Sequence, residues 1–447
     1  MADDVSVACQ TKLLRMFLAS LRALSSQHAR LAGQLARDSH WIEPAKLLAV
    51  NVAGKGIGLR LHQHAAAGET LLTVPAAIWS LFSAEAAVKN ARSQAAGFVE
   101  RLEQLSGSGQ RSRLTEVVCL ALQLLFERGR GDAFAASLPV PDVPLTWAPE
   151  ELEELAGTRT HAAVLARHSF VRALHGSLFG AAESSPVSLE QLSWAMATIT
   201  SRALSDSPSA PSMTLCPVLD LANHADEPSC QHGFDQDTQS FNLKAARDLP
   251  READVCISYG AHLDNDRLLR QYGFTQPQNA NDFSNIPPPW PPAPGADDPL
   301  AALKIQLLRR PDVQSSDSGK AWWNSEVDAQ PVSVTGGHDA APLLVVLRLM
   351  HLTPTDVDVG GGRVVDAHTA VDATRPLSPG NEAAARASLS AAARIALDAF
   401  PSTMEQTQEA LARHAAGDTT LSTRKLHALR VRQGEQLALH GLLAACT

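Results

Sequence analysis

Tyr259 and Tyr272 are the only tyrosines among 447 residues; they stand thirteen residues apart, and each is followed by glycine. Aromatic residues are 5% of the chain, so the pair singles out the stretch from Cys256-Ile-Ser-Tyr-Gly260 to Gln271-Tyr-Gly-Phe274. Two phenol hydroxyls in one buried pocket could orient a polar acceptor against a second reactant. They could equally be core aromatics whose hydroxyls reach a surface or a backbone carbonyl, and spacing alone favours that plainer outcome. His262 and Asp264, between the tyrosines, allow an acid–base reading or a solvated loop. Asn223-His224 and Asp220 are nonspecific by themselves, as a turn, a core histidine and a local cap. Arg202, near the end of an apolar helical stretch, could simply bond the last carbonyls. His161, His168 and His175 recur every seven residues, about 10 Å apart on a helix, too far for one metal ion.

The elements that must carry these groups follow from local pattern. Residues 253–259 alternate with period two and read as a strand, with Val255 and Ile257 sharing the core-facing parity of Tyr259. Gly260 would end it, and Leu268 and Leu269 suggest one helical turn before Tyr272. Residues 56–74 read as strand, turn, strand, with Gly68-Glu69 in the turn, and a plain hairpin would account for them. The glycines at 54, 56 and 58 allow the backbone to approach a ligand closely. No Lys-Ser or Lys-Thr follows at phosphate-loop spacing. From 84 to 204 the pattern is mostly helical, and Leu114 to Phe126 is apolar on nearly every side, as in a buried bundle helix. Pro139, Pro141 and Pro144 interrupt it; Trp147-Ala-Pro149 starts a helix and Gly157 stops it.

Residues 205–211 form a Ser/Pro loop, 213–221 a buried stretch, and 225–240 an exposed hairpin or loop. The Pro-rich stretch 286–298 can be neither helix nor central strand and marks a boundary. Helices are expected beyond it at 300–309, 341–352, 380–400, 404–415 and 422–443, with 311–340 and 354–379 as long surface loops. An amphipathic helix is expected over 11–37. The formal net charge of −9 argues against a general phosphate-backbone binder. The six cysteines form no C-x-x-C pair, which speaks against a disulfide framework or a structural zinc site. No apolar run is long enough to span a membrane.

Taken in order, these motifs resemble one family. Leu215-Cys-Pro-Val-Leu-Asp-Leu-Ala-Asn-His224 is similar to the Asp-x-x-Asn-His motif of SET-domain methyltransferases. Ser258-Tyr-Gly260, Asn265 and Tyr272-Gly-Phe274 resemble the closing motif of that domain. Gly56-Ile-Gly58 with the Gly-Glu turn and Val74-Pro75 resembles its first motif. Trp194-Ala through Ser201-Arg202 resembles another, and Arg424-Lys with Arg432-Gln-Gly-Glu435 the helical C-terminal domain of the Rubisco large-subunit lysine methyltransferase-like branch. That branch also includes the actin histidine methyltransferase. Two departures are visible: isoleucine at 57, where the family often has an aromatic or basic residue, and Arg251-Glu-Ala in place of a Gly-Glu turn.

The resemblance implies an α+β fold: a SET domain of short β-sheets with a large helical insert, then an all-helical C-terminal domain. The implied boundaries are an N-terminal helical segment at 1–39, the SET domain at 40–280 with its insert at about 84–204, a linker at 281–299, and a helical substrate-binding domain at 300–447. It implies S-adenosylmethionine as cofactor and no metal. Gly56, Ile57 and Gly58 would meet its methionyl end, Arg202 its carboxylate, and Asn223 and His224 its adenine and ribose. Tyr259 would also touch the cofactor and orient the incoming nitrogen, with Tyr272 as second pocket phenol and Phe274 as a wall. The expected reaction is methyl transfer to lysine of a non-histone protein engaged by the C-terminal domain, since no Cys-x-Cys element follows the SET motifs. Nucleic acid and membrane are not expected as partners, and the chain is expected to be a monomer. The cytoplasm or chloroplast stroma, or else the nucleus, is the expected compartment. A histidine methyltransferase and a silent SET-fold binding module remain open; a hydrolase using His224 with Ser258 lacks a nucleophile elbow.

Overall fold

The computed structural model describes residues 46–52, 55–94, 98–105, 113–179, 187–205, 213–288, 291, 294–295, 297–314, 331–357 and 371–447. The helix expected over 11–37, Gly54 and Cys9 lie outside these. Contacts divide the chain into two compact units, Met1–Thr146 with Arg167–His262 and Gln271–Gly273, and Trp147–Ala166 with Leu263–Arg270 and Phe274–Thr447.

The first unit holds two main sheets. One has the order β1 (Leu47–Val52), β2 (Gly56–Leu61), β9 (Asp254–Ile257), β6 (Asn223–His224). The other has the order β3 (Thr70–Pro75), β8 (Ser240–Ala245), β7 (Cys230–Asp235), and the short strands β4 (Leu204–Ser205) and β5 (Met213–Thr214) pair by themselves. In β9, Val255, Cys256 and Ile257 are buried in succession rather than alternately. β9 is a central strand, between antiparallel β2 and parallel β6, and side chains on both of its faces are buried, as in sheets covered on both sides. The strand, turn and strand read over 56–74 are present as β2 and β3, but the two strands do not pair with each other as a plain hairpin would. β2 pairs with β1 and β9, whereas β3 pairs with β8, with Val74 opposite Phe241. Residues 225–240 do contribute to a hairpin, β7 to β8, anchored by Cys230 and Phe241 in the core.

Helices α1 (Ala84–Gln94), α2 (Phe98–Leu105), α3 (Arg113–Gly129), α4 (Arg159–Phe179) and α5 (Leu189–Arg202) form the insert. α3 packs against α1 and α5, burying Val118, Leu120 and Leu124, but Phe126 is 52% exposed, so the helix is not enclosed all round. Ser188 begins α5: its hydroxyl accepts the Gln191 N–H at 3.1 Å, and the Gln191 side chain accepts the Ser188 N–H at 2.8 Å. Reciprocal capping of this kind fixes where a helix begins. Two of the three spaced histidines bond backbone carbonyls, His168 to Pro144 at 3.3 Å and His175 to Val187 at 2.7 Å.

The second unit is helical: α6 (Ala301–Leu308), α7 (Ala340–Met350), α8 (Pro379–Asp398), α9 (Met404–Ala415) and α10 (Thr423–Cys446). Leu343, Leu347, Leu389, Leu439 and Leu442 share its core. Ser378, Thr403 and Ser422 cap α8, α9 and α10; with Pro379 at the first helical position, these local rules set the helix starts. Within 311–340, expected as a surface loop, the described residues hold a short helix Pro311–Gln314 and strand β11 (Val332–Val334), which pairs with β10 (Ser284–Ile286). Gly157 stops its helix at φ +80°, where a Cβ would overlap the Ala399 carbonyl. Among the described residues no helix is long and apolar enough to cross a membrane.

Candidate active site

Of the residues singled out in the sequence, Gly56, Ile57 and Gly58 on β2, Arg202 at the end of α5, Asn223 and His224 on β6, and Tyr259 and Tyr272 lie in the first unit. Tyr259 follows β9 by two residues and joins the core cluster as a partly buried side chain. Its hydroxyl donates to the Ala222 carbonyl at 3.0 Å. Its ring lies against Tyr272, with centroids 4.5 Å apart, and against His224 at 5.2 Å. The turn expected before Tyr272 exists, as the helix Asn265–Arg267 continued by a widened turn Leu268–Tyr272, a form that recurs at functional sites. The Tyr272 hydroxyl lies 3.5 Å from the Tyr259 carbonyl.

Burial pushes the Tyr259 phenol far above its ordinary range, only partly offset by Arg202. It is therefore neutral at any physiological pH. With its proton directed at Ala222, the phenol is a neutral hydrogen-bonding group and not a base.

His224 accepts the backbone N–H of Tyr259 on Nδ1 at 3.2 Å. The neutral ring then carries its hydrogen on Nε2, which lies 3.3 Å from Asp226 Oδ1. Burial lowers its pKa, and Asp226 works in the opposite direction. Asn223 is fixed opposite Cys256 in the parallel β6–β9 pair. Gly58 closes the other side: a Cβ there would overlap the Asn223 side-chain amide and come within 2.9 Å of Val52 Cγ2. Gly56 has φ +69°, a conformation glycine adopts without strain, and a Cβ there would meet nothing. Ile57 is half-buried against the same core.

Arg202 is the last residue of α5, but it does not cap the helix carbonyls. Its Nη1 donates to the Asp220 carboxylate at 2.9 Å and to the Asp220 carbonyl at 3.3 Å. The Asp220 side chain is 2% exposed, and burial raises its pKa while Arg202 opposes the rise. Asp220 thus anchors this arginine while also meeting local backbone at Val218 and at its own position. It sits in a short helical turn Leu219–Leu221 that begins at Val218, with φ 69° and ψ −46°. Those angles belong to the rare, strained form of the γ-turn. A β-branched residue there stores about 1–3 kcal/mol.

Two further candidates, Asp264 and Phe274, fall in the second unit. Asp264 is not in a solvated loop: its side chain is 2% exposed, it pairs with Arg159 at 2.5 Å, and it caps the helix that starts at Asn265. Phe274 belongs to the second unit and is partly buried there. Among the described residues no group of three or more His, Cys, Asp or Glu could hold a metal ion, and the five described cysteines are buried.

An α+β domain of short sheets with a helical insert, followed by a helical domain, is the architecture of SET-domain enzymes with a C-terminal substrate-binding domain. The solved structure of the SET domain of LSMT bound to lysine and AdoHcy matches over 95% of this chain and 92% of that one, with a TM-score of 0.67 at 21% identity. The chain has the SET fold. Within that class it is related to Rubisco LSMT: residues 295–439 match the family described as Rubisco LSMT substrate-binding. In sequence it is 24% identical over 235 residues to SET domain-containing protein 8 of Schizosaccharomyces pombe, covering 51% of this chain and 54% of that protein. It is 25% identical over 256 residues to the chloroplastic ribulose-1,5 bisphosphate carboxylase/oxygenase large subunit N-methyltransferase of Nicotiana tabacum, covering 52% and 48%. The matched segments span about half the length of these relatives.

Proposed function

We propose that this chain is an S-adenosylmethionine-dependent protein-lysine methyltransferase. The observation that carries the reading is one arrangement: a partly buried pair of phenols in ring contact, an arginine held by Asp220, and a glycine that lets the backbone of β2 close on Asn223. The residues fit the cofactor. All Arg202 bonds among the described residues run from Nη1, which leaves the Nε–Nη2 edge to take a carboxylate in bidentate fashion. Asn223 and His224 would hold the adenosine end, and Gly56, Ile57 and Gly58 the methionyl end.

The bound cofactor would supply the methyl group. The chain's own task is to align a nitrogen with it and to let that nitrogen lose its proton. A narrow, desolvated pocket beside a positive charge lowers the pKa of an incoming ammonium, so no strong base is required. Tyr259 would accept a hydrogen bond from the nitrogen and fix its direction, with Tyr272 lining the pocket beside it. A non-histone protein substrate and its engagement by residues 300–447 belong to the same proposal, supported by the matched substrate-binding family.

Calorimetric titration of the purified chain with S-adenosylmethionine should give one site per chain; no heat and no thermal shift at millimolar cofactor would end the proposal. In the same instrument, decarboxylated S-adenosylmethionine should bind about 30-fold more weakly, the roughly 2 kcal/mol of a charge-assisted bond left unmade. Equal affinity would remove Arg202 from the site. Gly58→Ala must displace the Asn223 amide and should weaken cofactor binding about 10- to 100-fold, roughly 1.4–2.7 kcal/mol. Unchanged affinity would place the adenosine elsewhere.

A further inference from the structure

The segment Val218 to Ala222 serves both ends of the proposed site. At one end the Asp220 carboxylate and carbonyl both accept from Arg202 Nη1. At the other, the Ala222 carbonyl accepts the Tyr259 hydroxyl. Three tight backbone bonds lie between: Asp220 N–H to Cys216, Leu221 N–H to Val218 and Ala222 N–H to Leu219, at 3.1, 3.0 and 3.1 Å. Cys216, Val218 and Leu219 are completely buried, and this packing holds Val218 at a φ that a β-branched residue otherwise avoids.

We propose that the Val218–Ala222 turn is a positioning element that couples the arginine taking the cofactor's carboxylate to the phenol orienting the methyl acceptor, with Asp220 acting through Arg202 rather than touching either substrate. The inference rests on the methyltransferase reading and deepens it. A merely structural Asp220 would be indifferent to which end of a ligand is present. A positioning Asp220 distinguishes ligands that carry the amino-acid end from those that lack it. It also has a kinetic consequence, because disturbing the turn at Asp220 shifts the carbonyl that aims Tyr259.

The test uses the full chain and two nucleosides, S-adenosylhomocysteine and 5′-methylthioadenosine, which lacks the amino-acid end. In Asp220→Asn the affinity for S-adenosylhomocysteine should fall 10- to 30-fold while that for methylthioadenosine stays within threefold. Single-turnover methylation at saturating cofactor should slow at least tenfold. Equal weakening of both nucleosides, or an unchanged turnover rate, would overturn the proposal.

If the variant does not fold, wild type gives the same readout through pH. Arg202 from α5, Cys216 in its own segment and Tyr259 beyond β9 are the titratable or charged groups that face Asp220. Burial raises its pKa, so lowering the pH from 8 to the acid limit of folding protonates it ahead of an ordinary aspartate. The preference for S-adenosylhomocysteine over methylthioadenosine should then shrink, with titration of His224 at the adenosine end cancelling from the ratio. A flat ratio would overturn the proposal. Failure of wild type to bind either nucleoside would instead overturn the methyltransferase reading, and this inference with it.

Discussion

Glu435→Gln is expected to leave stability unchanged near pH 5 and to raise it by about 2–5 kcal/mol at pH 8.5. The reason is a cluster in the second unit with more acids than bases. Asp264, Asp266, Asp282 and Glu435 are gathered around Arg159 and Arg270. Two guanidiniums balance two carboxylates, and the surplus is disfavoured as anions. Glu435 on α10 is 3% exposed, and both its oxygens accept the Arg159 N–H, at 3.0 and 3.2 Å. Burial, opposed by Arg159 and assisted by Asp266, raises its pKa to about 8, and burial raises that of Asp282 to about 6.

The sign follows from proton counts. Between the ordinary glutamate pKa and about 8, the unfolded chain has released this proton and the folded chain keeps it. Folding stability therefore falls as pH rises through that window and levels off above it. Glutamine copies the protonated acid: its oxygen can accept the Arg159 N–H and its amide can reach Ser284. Urea midpoints for both proteins at pH 5, 7 and 8.5 measure the difference. Parallel curves, or a variant less stable at every pH, would show that Glu435 is ionised in the fold.

The surplus acids also mark where local sequence reading stops. Starts and stops of α7, α8, α9 and α10 were legible because caps, prolines and glycines act within four residues. Val255 and Ile257 were legible as inward-facing strand residues, and both are buried, but the strand stops at Ile257, two residues short of Tyr259. The partners of β2 and β3 were not, since β3 pairs with β8, some 170 residues away in the chain, and nothing in Leu71-Leu-Thr-Val-Pro75 encodes that distance. Asp264 looked like part of a polar loop, because the Arg159 that neutralises it lies a hundred residues earlier. Val218 hid best, for a β-branched residue is among the last expected at positive φ, and only tertiary packing can enforce it. Asp220 and Arg202 were each visible alone, but their bond was not.

Tyr259→Phe should keep cofactor affinity near normal and slow the methyl-transfer step by roughly tenfold to a thousandfold, or about 1.4–4 kcal/mol of transition-state stabilisation. The substitution removes one oxygen and almost no volume, and the ring keeps its contacts with Tyr272 and His224. On the folding side the hydrogen bond from Tyr259 to Ala222 is lost, so stability should fall by about 1–2 kcal/mol. A structural tyrosine would show that small loss and unchanged turnover. An aligning tyrosine shows more, because its hydroxyl is held with the proton on Ala222, which leaves its oxygen to accept from an incoming N–H. Tyr272→Phe should cost less, or change how many methyl groups are added, since the Tyr272 hydroxyl lies toward the Tyr259 carbonyl at a long 3.5 Å. Single-turnover methylation of a protein acceptor, found in a lysate with labelled cofactor, compares wild type with both variants. A wild-type rate in Tyr259→Phe with an inert Tyr272→Phe would exchange the two roles; wild-type rates in both would move the acceptor pocket away from these phenols altogether.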